Sequence, residues 1–341
     1  MEEELEESGA LPVGAEVTPA VAGPDVRPVA ELGERVRAQV GRVVIGMDDE
    51  VDACLAAVLA GGHVLLEGVP GVAKTLLVRA LAVALGGSYG RVQFTPDLMP
   101  ADVTGTSVFH PERGEFRFRP GPIFAQFLLC DEINRSPAKT QAALLEAMQE
   151  GAVTIDGGRH ELPRPFTVFA TQNPVEHEGT YPLPEAQLDR FLFKVGVGYP
   201  EPGEEERILG EAHARPPSST PEELGLVPVC GPGELLACAA VANAVAVRED
   251  LPGYVVRLLE ATRSTPSLVL GASPRAGVML LRAAKARAAL AGRAYVTPDD
   301  VKAIFLPCLR HRVALDPAEE IEGVRADQVL QRILDSVEVP R

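Results

Sequence analysis

The sequence predicts an α/β fold: a P-loop core with a parallel sheet flanked by helices and carrying β-hairpin inserts, followed by a small all-α lid domain. Three observations carry this. The stretch HVLLEGVPGVAKT, residues 63–75, sets a Gly-rich turn between an apolar strand and a helix. The apolar runs IFAQFLL (123–129) and PFTVFAT (165–171) alternate with the helical pattern SPAKTQAALLEAMQE, and such alternation builds a parallel sheet covered on both faces. After Tyr199 the strand signals stop, and the rest of the chain is helical in pattern.

Taken in order, residues 1–27 are acidic and then rich in Pro, Gly, Val and Ala, with no periodicity; they read as a disordered tail. The α/β core covers 28–199. It opens with helices in ELGERVRAQV and DEVDACLAAVLA, parted by a turn at Gly46, and a third helix runs from about Lys74 to Leu85. SVFHPERGEFRFRP reads as a hairpin turning at Pro111 to Gly114. AVTIDGGRHELP reads as a second, because Asp156-Gly157 supplies the positive-φ residues of a tight turn. The Pro- and Glu-rich residues 200–228 read as a hinge. The lid, 229–341, is helical throughout, and Thr297-Pro298-Asp299-Asp300 starts one helix with a capping box and a first-turn proline. On the long lid helix, Arg282, Lys285, Arg287 and Arg293 read as a solvated face rather than a partner surface.

Composition excludes several classes of function. A net charge of −16 opposes any sequence-independent grip on nucleic acid and any anionic membrane surface. The longest apolar run, LACAAVANAVAV, is interrupted by Asn243 and falls short of the roughly 18 residues that span a bilayer. The start MEEELEE is the opposite of a basic leader. The 5 cysteines include no C-x-x-C pair and the 6 histidines no metal-ligand spacing, so reduced thiols in a soluble cytoplasmic protein are expected.

The chemistry gathers at the turn after the first strand. Gly68, Val69, Pro70, Gly71, Val72, Ala73, Lys74, Thr75 and Leu76 form a loop and helix start whose backbone N–H groups and dipole suit an anion. Lys74 would reach β- and γ-phosphates, and the Thr75 hydroxyl would ligate Mg²⁺. The strict pattern G-x-x-x-x-G-K-[ST] asks for glycine where this chain has Ala73, which is tolerable if its φ is negative. FLLCDE delivers Asp131 and Glu132 at a buried strand's end, where Asp131 would hold Mg²⁺ through water and Glu132 would orient and deprotonate an attacking water. Asn173, ending the next strand, can bond that water or the γ-phosphate. Arg190 either pairs on the surface with Asp189 or Glu185 or acts in the site. Arg275 opposes the dipole of the helix it opens, which makes sense if it faces a bound anion.

Together, GVPGVAKT, LLCDEINRSP, ATQNP, LPEAQLDRF and GASPRAG resemble the MoxR family of AAA+ ATPases, from about Val29 onward. In that family, alanine before the loop lysine is usual. The resemblance implies ATP and Mg²⁺ as cofactors, Lys74 and Thr75 as Walker A, Asp131 and Glu132 as Walker B, and Asn173 as sensor 1. It implies Arg190 as the arginine finger and Arg275 as sensor 2. Hairpins 107–119 and 152–163 match the helix-2 insert and the pre-sensor-1 hairpin, and Val44, Ile45 and Gly46 fall where the family packs adenine. It further implies a homo-oligomeric, hexameric ring with sites at subunit interfaces, a client protein, and a von Willebrand A-domain partner. On this reading the lid rotates about Pro200 to Gly203 while Arg275 senses the γ-phosphate. The rival expectations are another AAA+ motor, such as a metal-chelatase subunit, or a nucleotide-binding scaffold with negligible hydrolysis.

Overall fold

A computed structural model describes residues 23–112, 114–174, 181–213 and 220–340; of the expected disordered tail 1–27, residues 1–22 lie outside them, whereas Val26 is buried and Arg27 already belongs to the first helix. In chain order, α1 (Arg27–Val40) and α2 (Asp48–Leu59) precede β1 (Val64–Glu67), α3 (Lys74–Ala84), β2 (Tyr89–Gln93) and α4 (Pro100–Thr104). The first hairpin is β3 (Gly105–His110) with β4 (Glu115–Pro120). Then come β5 (Phe127–Asp131), α5 (Ala138–Glu150), the second hairpin β6 (Ala152–Ile155) and β7 (Gly158–Glu161), β8 (Thr167–Gln172), α6 (Glu185–Leu188) and β9 (Phe193–Gly196). The rest comprises α7 (Pro202–His213), α8 (Pro232–Asn243), α9 (Asp250–Ser264), β10 (Leu268–Leu270), α10 (Pro274–Leu290), α11 (Pro298–Leu309), β11 (Ala314–Leu315), α12 (Pro317–Ile321) and α13 (Ala326–Ser336).

Five parallel strands form the sheet in the order β2-β5-β8-β1-β9. Every residue of β5 is buried, as a strand covered on both faces must be. One apolar cluster, with Val92, Phe94, Leu128, Leu144 and Val168, fills one face. The other runs from α1 through α3 and the sheet into the lid.

That continuity is the main departure from the expected domain plan. α1 buries Val29, Leu32, Val36 and Val40, each side chain contributing about 1.5–3 kcal/mol. It packs on α10 and α8 of the lid as well as on α3. The approach to α10 is close: a Cβ on Gly33 would stand 2.8 Å from Leu290 Cδ2. The expected hinge also contains a helix, α7, with Glu204 and Glu205 in its first turn, where they complement the dipole. High charge density made this segment look like a linker. Residues 214–219 of the expected hinge lie outside the described residues.

Other expectations shift or fall short. The expected strand over 123–129 becomes β5 at Phe127–Asp131, because residues 123–126 form a buried turn, and burial makes a segment apolar whatever its conformation. The strand expected at 165–171 is β8. Strands β2 and β9 have no counterpart in the sequence reading, and the lid expected to be all helix carries the small β10–β11 pair. Four of the five free cysteines are buried, and no helix among the described residues is long and apolar enough to cross a membrane.

His63, just before β1, ties three elements together. Its Nδ1 accepts the Val168 N–H at 3.0 Å, and Nε2 lies 3.2 Å from the Met148 carbonyl, so the ring is the neutral Nε2–H tautomer. Burial pushes its pKa down to about 4. The unfolded chain therefore takes up a proton near the ordinary histidine value before the folded one does, and the stability held above that value is lost as pH falls toward 4. At pH 5 this group should lower stability by ~2 kcal/mol relative to neutral pH. Urea midpoints for the native chain and His63→Asn should converge as pH falls from 7 to 5; a gap that widens would refute the assignment.

Candidate active site

From Glu67 at the end of β1 the chain turns through residues 68–73 before Lys74 opens α3. The carbonyl of Val197, beyond β9, closes behind the turn: a Cβ on Gly68 would fall 2.3 Å from it. In front, a Cβ on Gly71, at φ +88°, would meet nothing within 4 Å. Ala73 overturns the expectation of a negative φ: it is left-handed, at φ +57° and ψ +19°. The methyl group is tolerated under strain of about 1 kcal/mol, held by the strand and helix on either side. Ala73→Gly should therefore raise stability by ~1 kcal/mol, checked by denaturant unfolding; a lower midpoint would contradict it.

Lys74 Nζ donates to the carbonyls of Gly68 at 2.5 Å and Val69 at 2.8 Å. Burial lowers its pKa, against the opposing pull of Asp131 and Glu132. Those carboxylates arrive by register. In the parallel sheet Gln93 lies opposite Asp131 and Glu67 opposite Gln172, so the carboxyl ends of β2, β5, β8 and β1 align at one edge, where α/β sheets bind ligands. Thr75 Oγ1 stands 3.4 Å from both Asp131 carboxylate oxygens. Thr171 Oγ1 donates to Asp131 Oδ1 at 3.2 Å and accepts the Glu132 N–H at 2.9 Å. Arg91 Nη2 lies 2.7 Å from Asp131 Oδ2. The Glu132 carboxylate accepts from Gln93 Nε2 at 2.9 Å and pairs with Arg135 Nε at 3.1 Å.

Loop residues 70–76, the ends of β2, β5 and β8, and Asn173 line one open cavity of about 600 Å³. Two of the three described non-glycine residues with positive φ, Ala73 and Glu132, sit on it. Backbone strain of this kind persists where the surrounding structure over-determines it, which is common at reactive sites. The donors also suit Mg²⁺. A hydroxyl and a carboxylate are hard oxygen ligands, and this ion keeps most of its shell as water and phosphate oxygen rather than protein. No group of three His, Cys, Asp or Glu able to hold a metal occurs among the described residues.

Three expected site residues lie elsewhere. Val44 and Ile45 are buried, Gly46 is exposed with the Glu204 side chain of α7 against it, and none of the three lines the cavity. Arg190 and Arg275 are also absent from it. Arg190 Nη1 donates to the Leu145 carbonyl at 2.7 Å, Arg275 Nε stands 3.5 Å from Asp189, and both line a separate cavity of about 160 Å³ between core and lid. Arg275, expected to sense the γ-phosphate from the lid, stands on this second cavity and not on the one that the phosphate loop lines. Conversely, Arg91, Gln93 and Thr171 line the main cavity unforeseen. The alternation of Val92 and Phe94 in GRVQF was the available signal for the first two.

The profile of the family described as "ATPase family associated with various cellular activities (AAA)" matches residues 63–193, and that of the "AAA lid domain" matches 260–333. The uncharacterized protein YeaC of Bacillus subtilis (strain 168) is 47% identical over 316 residues, covering 93% of this chain and 96% of YeaC. Chaperone MoxR1 of Mycobacterium tuberculosis is 45% identical over 317 residues, covering 90% of this chain and 82% of that protein. A crystal structure of a protein from Cytophaga hutchinsonii described as a "putative ATPase" superposes with a TM-score of 0.85 at 39% identity, covering 93% of this chain and 97% of that one.

Proposed function

Because this chain belongs to the MoxR family of AAA+ ATPases, we propose that it hydrolyses ATP at the interfaces of a homo-oligomeric ring and uses the energy to remodel a partner protein. The observation that carries the reading is a division of labour. The residues suited to bind nucleotide and activate water share one cavity, while Arg190 and Arg275 are gathered on another. A guanidinium outside the cavity of its own phosphate loop is open to a neighbour's nucleotide, and an arginine supplied in this way would stabilise charge on the transferring phosphoryl group.

In this mechanism the loop N–H groups and Lys74 hold the phosphates, and Thr75 and Asp131 hold Mg²⁺, which supplies charge neutralisation when bound. Asn173 positions the attacking water, and Glu132 takes its proton. Arg190 and Arg275 enter from the adjacent subunit. Since α1 and α2 share a core with α8 and α10, subunits rotating against one another carry the motion more readily than a lid turning on its own core. A chaperone-like role is the family's.

The test is ATPase rate per subunit against protein concentration, with Glu132→Gln as blank. A rate that climbs and saturates fits sites completed by neighbours. A constant rate from a chain that stays monomeric by mass would overturn the interface reading, and no rate above the blank would overturn hydrolysis.

A further inference from the structure

The lid helix α10 does not present a uniform solvated face. Arg293, just beyond it, is held by both guanidinium branches, at 2.6 Å each, on the buried Asp300, and Lys285 Nζ donates to the Asn243 carbonyl at 3.0 Å. These cations are part of the architecture. Arg275, Met279 and Arg282 differ: spaced i, i+4 and i+7, they share one face of α10, and all three line the cavity that Arg190 lines from the core.

We propose that Arg282 is a third anion-contacting residue, which with Arg190 and Arg275 forms a triple-guanidinium pocket for the terminal phosphate of ATP bound by the neighbouring subunit. The proposal rests on the reading that active sites are completed between subunits. Three features carry it. Among the described residues, no carboxylate lines this cavity. Asp189 stands 3.5 Å from Arg275 but accepts from the buried Arg312 at 2.7 Å, so its one charge is already shared. Arg282 has five N–H donors, yet among the described residues its one acceptor is the Ala60 carbonyl. Gly61, at φ +63°, lies next to it: a Cβ there would stand 3.3 Å from Arg282 Nη2. The remaining charged candidate in the lining, His63, is a buried neutral ring.

Three guanidiniums beside one another repel, and a chain of net charge −16 has ample acid to balance them. Arg275 and Arg282 are exposed, so water solvates them in the single chain, and an anion arriving from outside can take the place of that water. A terminal phosphate, with its charge spread over three oxygens, suits three forks better than one.

The test uses the full chain. Arg282→Gln removes the charge but keeps an N–H for the Ala60 carbonyl. We expect ATP affinity and unfolding midpoint close to native, with the ATPase rate at saturating ATP and protein down ~10-fold or more. Mixed with Lys74→Ala, which cannot grip ATP yet carries all three arginines, Arg282→Gln should regain activity at the mixed interfaces. A native rate for Arg282→Gln would overturn the proposal. So would failure to recover on mixing while Arg190→Ala does recover in the same experiment. If neither recovers, the interface reading itself fails. Should Arg282→Gln lower the midpoint, Arg282→Lys decides: a rate near native supports a role for charge, and one as low as the Gln variant refutes it.

Discussion

Glu132→Gln is expected to lower the ATPase rate per subunit ~10²–10⁴-fold while leaving ATP affinity within a few-fold of native. The exchange keeps the size of the side chain and an amide able to bond Gln93, so the left-handed turn at Glu132 and its N–H to Thr171 survive. The group that takes the proton is lost, together with the charge of the half-exposed ion pair to Arg135. The loop, Lys74 and Thr75, which hold the phosphates, lie on other elements. Phosphate release at saturating ATP, set beside the affinity of a fluorescent nucleotide, separates the two effects. A variant that binds and hydrolyses like the native protein would remove Glu132 from the mechanism.

Arg190→Ala is expected to lower the rate ~10³-fold or more at protein concentrations where the native enzyme is saturated, with nucleotide binding by the chain unaffected. Among the described residues, Arg190 makes one hydrogen bond, to the Leu145 carbonyl, whose loss is worth about 1 kcal/mol. Damage to the fold cannot therefore account for a large loss of rate, and a native-like unfolding midpoint would establish this independently. Should Arg190→Ala hydrolyse ATP at the native rate, the arginine-bearing cavity would have no part in catalysis, and the case for completed interfaces would go with it.

The phosphate loop, the carboxylates ending β5 and Asn173 were legible because their signals are local. A strand runs into a Gly-rich turn, and a buried run stops at two acids; chain direction then brings both to the same edge of a parallel sheet. The capping box at Thr297 and Asp300 and the turn at Asp156-Gly157 were legible for the same reason. Arg91 and Gln93 were not, since β2 is a short strand whose partner is set by register with β5 rather than by its own pattern. The handedness of Ala73 was misjudged because φ there is imposed by the elements on either side.

What the sequence determined by itself is the local grouping of the site: a Gly-rich turn that opens a helix at Lys74 and a buried strand that runs into two carboxylates, each specified within a few neighbours in the chain. What only the tertiary structure decided is direction. That Arg190, Arg275 and Arg282 line a cavity apart from the phosphate loop, that Glu204 lies against Gly46, and that α1 and α2 share a core with the lid all result from contacts between residues far apart in sequence. Helical spacing states which side chains share a face, but the surface that face meets is chosen by packing the whole chain.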